Sequence, residues 1–227
     1  MRNRYREISQ FRKSFDAVTN WIYYPLASYL CAILSYTSIT PNQITILSIL
    51  SELSAVYLII TSFDSNLGII AILLQLGWIL DLMDGMMARF KKMGYYNPIN
   101  PSKKGYYLDA VSDHVLKFVI IGALSYQLVL IHKFGWQIGM ITIIIYGITQ
   151  TEHTLRKMIT KSDDLSLING RSKKSIFGHI ALLMNNIYLF YIVFIPINRI
   201  DLLLIGFASA SLILFIKRTI QFWFSEP

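Results

Sequence analysis

Six long apolar segments constrain this chain more than any other feature of its sequence. Each has roughly 20 residues or more, the length that a helix needs to cross a hydrocarbon core of about 30 Å. We therefore predict an all-α polytopic membrane protein with six transmembrane helices. The predicted spans are residues 43–62, 67–90, 106–131, 136–158, 176–195 and 202–222.

The overall composition agrees with a membrane protein. Hydrophobic residues make up 54% of the chain and charged residues 15%, whereas a soluble domain has about 45–50% and about 25%. The aromatic content of 14% argues against disorder, and the single cysteine argues against a disulfide scaffold. We attribute the net charge of +8 to membrane topology and to anionic lipid headgroups, so no nucleic-acid partner is expected.

Residues 21–36 form a shorter apolar segment that contains Pro25 and several tyrosines. A seventh span there would place the basic N-terminus on the far side of the membrane, against the positive-inside rule. With six spans, most Lys and Arg residues fall on the cytoplasmic side, and only Lys117, Lys133 and Arg199 do not. We predict an in-plane juxtamembrane helix over residues 21–36, with both termini and the functional face in the cytoplasm.

Four aspartates lie near the cytoplasmic ends of two successive predicted spans. Asp81 and Asp84 are three residues apart, and Asp109 and Asp113 are four apart, so each pair shares one helical face. A charge at the centre of a span costs about 2.5–3.5 kcal/mol, which favours a functional role. Four neighbouring carboxylates need protonation, basic partners or cations, and oxygen ligands favour Mg²⁺ or Mn²⁺.

Small residues and an arginine accompany these aspartates. Gly85 and Ala88 fall on the face of the first pair, and Gly105 falls on the face of the second. Small side chains there leave room for a diphosphate or a nucleotide, and Arg89 could bind a phosphate with two hydrogen bonds. Magnesium sites commonly share their ions with substrate phosphates. The pattern therefore predicts metal-assisted phosphate chemistry on the cytoplasmic side.

Eight of these residues occur in a fixed order on the two spans. The pattern reads Asp81-x-x-Asp84-Gly85-x-x-Ala88-Arg89, then Gly105-x-x-x-Asp109-x-x-x-Asp113. It resembles the signature of the CDP-alcohol phosphatidyltransferase family. Residues 40–45, TPNQIT, are similar to an element that opens the first span in many members, and the N-terminal layout is most like prokaryotic phosphatidylinositol phosphate synthases. The spacer 90–104 is longer than is usual in the family and is predicted to be a polar loop.

The resemblance implies an enzyme of phospholipid biosynthesis in the cell membrane. It would transfer a phosphatidyl or related phospho-alcohol group from a CDP-linked lipid to a small hydroxyl acceptor and release CMP. It implies two divalent ions, Mg²⁺ or Mn²⁺, and a homodimer, to which the close-packing motif Gly135-x-x-x-Gly139 would add weak support. Residues 1–40 would be the basic N-terminus and interfacial helix, and 41–227 the transmembrane catalytic domain.

The resemblance also assigns roles to individual residues. The implied metal ligands are Asp81, Asp84, Asp109 and Asp113, and Asp113 is also the implied general base. The implied CDP site consists of Asn42, Thr45, Asp81, Gly85, Ala88, Arg89 and Gly105. Basic residues around the fourth and fifth predicted spans could hold a phosphorylated acceptor, although the positive-inside rule alone would place them there. These residues are Arg156, Lys157, Arg171 and Lys173.

Two alternative functions stay open. A UbiA-like prenyltransferase also uses magnesium and aspartate-rich motifs in a helical membrane bundle, but such proteins usually have more spans and lack the Asp-Gly-x-x-Ala-Arg continuation. A divalent-cation carrier would line its pathway with carboxylates. Against a carrier, all four aspartates lie toward one membrane face. The acceptor alcohol and the type of donor lipid are not identified by the sequence.

Overall fold

A computed structural model describes residues 1–13, 16–93, 103–160 and 186–225 of the chain, and the regular structure within these ranges is helical throughout. The predicted all-α class is confirmed. The chain divides into two compact units, Met1–Ile120 and Ile121–Pro227. The division into functional regions at residue 41, which we predict from the sequence, stays a prediction.

The first unit contains the N-terminal helices and two long apolar helices, and it ends within a third. A short π-helical segment, Thr19–Tyr23, continues directly into the second helix. The helices are α1 (Arg2–Ser9), α2 (Tyr24–Leu34), α3 (Pro41–Ser62), α4 (Leu67–Phe90) and the first part of α5 (Lys103–Ile131).

The start of α3 is fixed by its own sequence. The Thr40 hydroxyl accepts a hydrogen bond from the Gln43 backbone N–H, and the Gln43 side chain accepts one from the Thr40 N–H at 2.8 Å. Pro41 occupies the first turn, where its missing N–H is not needed. The Lys91 ammonium donates to the Ile39 carbonyl at 2.5 Å. This contact ties the end of α4 to the segment that leads into α3.

Small and hydroxyl residues allow α3 and α4 to approach closely. Ser48 donates to the carbonyl of Gly77, and Ser51 donates to that of Leu73, both at 2.8 Å. Gly77 faces the buried Glu52 so closely that an added Cβ would lie 2.5 Å from Glu52 Cγ. A larger residue at position 77 would therefore separate the two helices.

The α2 helix packs against α4 with one face. The Tyr23 hydroxyl donates to Gln75 Oε1 at 2.5 Å, and the Cys31 thiol donates to the Met83 carbonyl at 3.5 Å. Burial raises the pKa of the Cys31 thiol to about 12. Trp21, in the π-helical segment that precedes α2, is 82% exposed. An exposed tryptophan is typical of a membrane interface, and the in-plane orientation of this segment stays a prediction.

The second unit contains the rest of α5 and three further described helices: α6 (Gly135–Thr160), α7 (Ile187–Phe194) and α8 (Ile200–Ser225). Gly139 lies against α5, where an added Cβ would be 2.5 Å from Ser125 Cβ, and Gly135 lies against the Leu128 carbonyl. The Gly135-x-x-x-Gly139 motif therefore makes its close approach within the chain. The homodimer therefore gains no support from this motif and stays a prediction.

Four described helices are long and apolar enough to cross a membrane. They are Pro41–Ser62, Leu67–Phe90, Lys103–Ile131 and Ile200–Phe224. They correspond to the first, second, third and sixth predicted spans. The α6 helix, which holds the fourth, is not among them, because Gln137, Gln150 and Glu152 reduce its hydropathy. Of the fifth, residues 176–185 lie outside the described residues. The six-span count stays a prediction.

Candidate active site

Three carboxylates from α4 and α5 meet in the first unit. Asp81, Asp84 and Asp109 each contribute one oxygen atom, and these three oxygens lie within 4.8 Å of one another. Asp84 is only 4% exposed, and the other two are partly buried. The two helical faces identified from the aspartate spacing thus supply oxygens to one site.

Thr45 connects α3 to this cluster. Its hydroxyl donates a hydrogen bond to Asp84 Oδ2 at 2.5 Å, and the Thr45 hydroxyl oxygen also lies 3.2 Å from the Pro41 carbonyl oxygen. Because the cap at Thr40 fixes the first turn of α3, it also fixes where the Thr45 hydroxyl meets Asp84. Asn42 lies in the same turn and is exposed. In this structure Thr45 therefore orients a carboxylate, while its implied role toward CDP stays a prediction.

Asp113 lies one turn beyond Asp109 on α5. Its Oδ1 forms an ion pair with the Lys117 ammonium, which is mostly buried. Asp113 also lies within electrostatic range of Asp81 and Asp109. The structure therefore places the implied general base beside the three-carboxylate cluster and gives it a cationic neighbour.

Arg89 crosses from α4 to the N-terminal segment. Its Nε donates to the Phe11 carbonyl at 2.9 Å. Its guanidinium folds over Gly85, where an added Cβ would lie 3.3 Å from Arg89 Nη1. Gly85 thus leaves the space that the arginine occupies, and Ala88 and Gly105 are partly buried on the two site helices.

The site combines carboxylates with nearby cations. Lys13, Arg89 and Lys117 all lie within electrostatic range of Asp109. Close carboxylates still repel one another in a partly buried setting, and a divalent cation would reduce that repulsion. Three converging carboxylate oxygens are a donor set that hard ions such as Mg²⁺ and Mn²⁺ prefer. The residues present therefore fit a divalent metal ion.

The family model for CDP-alcohol phosphatidyltransferases matches residues 38–216, which is most of the chain. The chain belongs to the CDP-alcohol phosphatidyltransferase family. The match includes all eight motif residues on α4 and α5. No curated protein sequence matches the chain. The likeness to phosphatidylinositol phosphate synthases, drawn from the N-terminal layout, stays a prediction.

Family membership sets the broad activity. The CDP-alcohol phosphatidyltransferases are transferases of phospholipid synthesis that use divalent metal ions and work on membrane lipids. Four apolar helices and the family together indicate an integral membrane protein. The cluster of Asp81, Asp84 and Asp109 is where this phosphatidyltransferase could bind its metal.

The implied acceptor residues belong to the second unit or lie outside the described residues. Arg156 forms an ion pair with Glu152, with 3.1 Å between Nε and Oε1, and its Nη2 is 3.4 Å from His153 Nδ1. It borders a groove of about 630 Å³ between α6 and α8 that is lined mainly by apolar side chains. The side chain of Lys157, and all of Arg171 and Lys173, lie outside the described part of the chain.

Two contributors to the site were not assigned from the sequence. The sequence identifies Lys117 only as one of three basic residues that do not fall on the predicted cytoplasmic side, yet it pairs with Asp113. Its spacing of four residues from Asp113 was a usable signal, because such pairs meet on a helix. Phe11 offers no comparable signal, since its carbonyl reaches Arg89 across 78 positions of sequence.

Proposed function

We propose that this phosphatidyltransferase transfers a phosphatidyl or related phospho-alcohol group from a CDP-linked lipid to a small hydroxyl acceptor, with release of CMP. One observation carries the proposal: Asp81, Asp84 and Asp109 bring three oxygens within 4.8 Å of one another inside the family motif. The family match favours this reaction over the prenyltransferase and carrier hypotheses.

Asp81, Asp84 and Asp109 would hold two divalent ions, with Asp113 at their edge. Bound there, Mg²⁺ or Mn²⁺ would neutralise phosphate charge on the donor and on the departing CMP. The Thr45 hydroxyl restrains the Asp84 carboxylate from the opposite helix. That restraint supports a preorganised ligand set, since it fixes one oxygen of the cluster before any ion binds.

Asp113 would act as the general base. Its carboxylate accepts the proton of the acceptor hydroxyl, the acceptor oxygen forms a new bond to the phosphorus that carries the lipid group, and the bond from that phosphorus to the CMP oxygen breaks. Contact with Lys117 through Oδ1 orients the Asp113 carboxylate. Most of the acceleration would come from alignment and charge neutralisation.

The CDP part of the donor would lie over the small residues of the two site helices. Gly85, Ala88 and Gly105 carry little or no side chain there, and Arg89, whose guanidinium folds over Gly85, supplies a cation at the end of α4. Asn42 and Thr45, in the first turn of α3, would complete this subsite. Arg156 would contribute to acceptor binding.

The charge distribution supports a membrane enzyme whose site and termini face the cytoplasm. The oligomeric state that the family suggests is a homodimer. The cytoplasmic orientation and the homodimer both belong to the proposal, and labelling from each side of the membrane tests the orientation.

The deciding experiment measures CMP release by purified protein from CDP-diacylglycerol with Mg²⁺ or Mn²⁺. The acceptor panel is glycerol 3-phosphate, inositol, inositol 1-phosphate, serine and small amino-alcohols. We expect acceptor-dependent CMP release that EDTA abolishes. Asp113→Asn should lose transfer while retaining CDP binding, and the exposed Asp64→Asn, a matched carboxylate change, should stay active.

Two results would overturn the proposal. The first is full transfer activity in Asp113→Asn. The second is the absence of both CDP binding and CMP release in the wild type under every condition. Pyrophosphate release from a prenyl diphosphate would then support the prenyltransferase, and metal flux into proteoliposomes would support the carrier.

A further inference from the structure

The segment of residues 11–13, which we term the N-terminal strap, is attached to α2 and α4 by side-chain hydrogen bonds. Arg89 Nε donates to the Phe11 carbonyl at 2.9 Å, and the Phe11 ring meets the Phe90 ring edge-on at 6.4 Å between centroids. Arg12 Nε donates to the Ser28 hydroxyl at 2.9 Å. The strap is therefore held by both α2 and α4.

Arg12 also attaches the strap to α1. Its Nη2 donates to the Tyr5 hydroxyl at 2.8 Å and to the Ser9 hydroxyl at 3.0 Å. Its guanidinium carbon also lies 5.5 Å from the centre of the Tyr5 ring. Several such contacts on one side chain leave little freedom to the backbone that carries it. The next residue, Lys13, consequently starts from a fixed position.

Tyr24 links the strap to the carboxylates. Its hydroxyl accepts a hydrogen bond from the Lys13 backbone N–H at 3.1 Å, and its side chain is 1% exposed. The Tyr24 side chain lies within electrostatic range of Arg89 and Asp81. Burial raises the pKa of Tyr24 to about 12, so the phenol stays protonated at neutral pH. The backbone of Lys13 is thus fixed beside the site.

The Lys13 ammonium lies within electrostatic range of Asp109. An ammonium beside carboxylates that bind divalent ions competes with those ions for the same oxygens. The same ammonium would instead strengthen the binding of an anionic ligand that shares the ions, because ammonium groups bind phosphate oxygens well. Lys13 precedes residue 38, where the family match begins. The motif therefore gives it no role.

We propose that Lys13 binds the diphosphate of the nucleoside-diphosphate donor, so that the N-terminal strap forms one wall of the substrate site. The inference rests on the proposed function, because it requires a diphosphate at the aspartate cluster. The competing role for Lys13 is charge balance alone, in which the ammonium stabilises the carboxylates and never contacts substrate.

The two roles give different results in binding measurements on the full-length protein. The test compares Lys13→Gln with Arg6→Gln, which removes one positive charge from an exposed site on α1. CDP binding is measured calorimetrically at saturating Mg²⁺, and Mn²⁺ binding without nucleotide is measured by electron paramagnetic resonance. Substitution of the Lys13 side chain leaves the backbone N–H that bonds to Tyr24 in place.

If Lys13 binds the diphosphate, Lys13→Gln weakens CDP binding by about tenfold or more, the usual loss for a hydrogen bond to a charged group. Cytidine binding stays unchanged, Mn²⁺ binding is unchanged or tighter, and Arg6→Gln resembles the wild type in every measurement. Lys13→Arg retains most of the CDP affinity because it keeps the positive charge.

The inference is overturned if Lys13→Gln binds CDP like the wild type, whatever happens to Mn²⁺. Should Lys13→Gln fail to fold, Lys13→Cys in a Cys31→Ser background provides the second test. Aminoethylation of that cysteine restores an ammonium and must restore CDP affinity, and failure to do so counts against the inference. Failure of the wild type to bind CDP with Mg²⁺ would instead overturn the proposed function.

Discussion

Gly77→Ala is the substitution for which the structure makes the sharpest prediction. The added Cβ would lie 2.5 Å from Glu52 Cγ and 2.8 Å from Glu52 Oε1. Carbon atoms in contact prefer about 3.5–4.0 Å, so α3 and α4 would have to separate by about 1 Å. Glu52 is only 2% exposed, so its side chain can move away only by displacing the residues packed around it. Overpacking of this kind costs about 1–3 kcal/mol.

We expect Gly77→Ala to lower the apparent Tm by several degrees, since about 1 kcal/mol shifts the Tm by about 2–4 °C in a chain of this size. Gly77 lies one turn before Asp81 on α4, so the displacement should also reduce transfer activity. A thiol-reactive fluorophore can follow unfolding, because the chain has one cysteine and Cys31 is buried.

Gly68→Ala is the matched control on the same helix, because an added Cβ at Gly68 meets no atom within 4 Å. It should melt at or slightly above the wild-type temperature. Glu52→Ala should reduce the cost of Gly77→Ala, since it removes the atoms that clash. If Gly77→Ala and Gly68→Ala melt at the same temperature, the close contact between α3 and α4 is refuted.

Three further predictions concern the metal site and the buried cysteine. Thr45→Val should weaken Mn²⁺ binding by about tenfold or more, because it removes a hydrogen bond to the Asp84 carboxylate. The control Thr61→Val should leave Mn²⁺ binding unchanged, because the Thr61 hydroxyl bonds only within α3. Equal Mn²⁺ affinities of Thr45→Val and the wild type would contradict this role of Thr45. Mg²⁺ should raise the apparent Tm of the wild type by preferential binding to the folded state, and a persistent rise in Asp84→Asn would contradict the metal assignment. Alkylation of Cys31 should stay slow until the pH approaches 12, since at pH 8 a thiol with a pKa of about 12 has a thiolate fraction on the order of one in ten thousand. The control Ser65→Cys, in a Cys31→Ser background, should be alkylated quickly because position 65 is exposed, and by reagent added on the side of the membrane opposite the active site. Rapid alkylation of Cys31 in the folded wild type would refute the burial of Cys31.

The helices were predictable because their signals are local. The predicted span at 67–90 coincides with α4, and the spans at 106–131 and 136–158 lie within α5 and α6. Hydrophobic length gives a helix its approximate bounds, and capping residues such as Thr40 add their own sequence signal. The pairing of carboxylates on shared faces was also predictable, since it depends only on the helical period.

The aspartate cluster was recognised from a short motif, but the contacts that position it depend on how the helices pack. Thr45 meets Asp84 across 39 positions, and Phe11 meets Arg89 across 78. Each contact requires a particular rotation of one element against another, and hydropathy does not encode that rotation. The same holds for Gly139, whose motif allows close approach to any helix and meets Ser125 in this fold.

The sequence by itself thus determined the all-α class, the two carboxylate faces and the spanning helices, of which the described residues contain four of the six predicted. It could do so because length, hydropathy and helical period are properties of contiguous residues. Only the tertiary structure decided that Thr45 orients Asp84 and that the N-terminal strap lies beside Arg89 and Tyr24. Those contacts join distant parts of the chain, and they form only when close packing of small residues fixes the rotation and separation of whole helices.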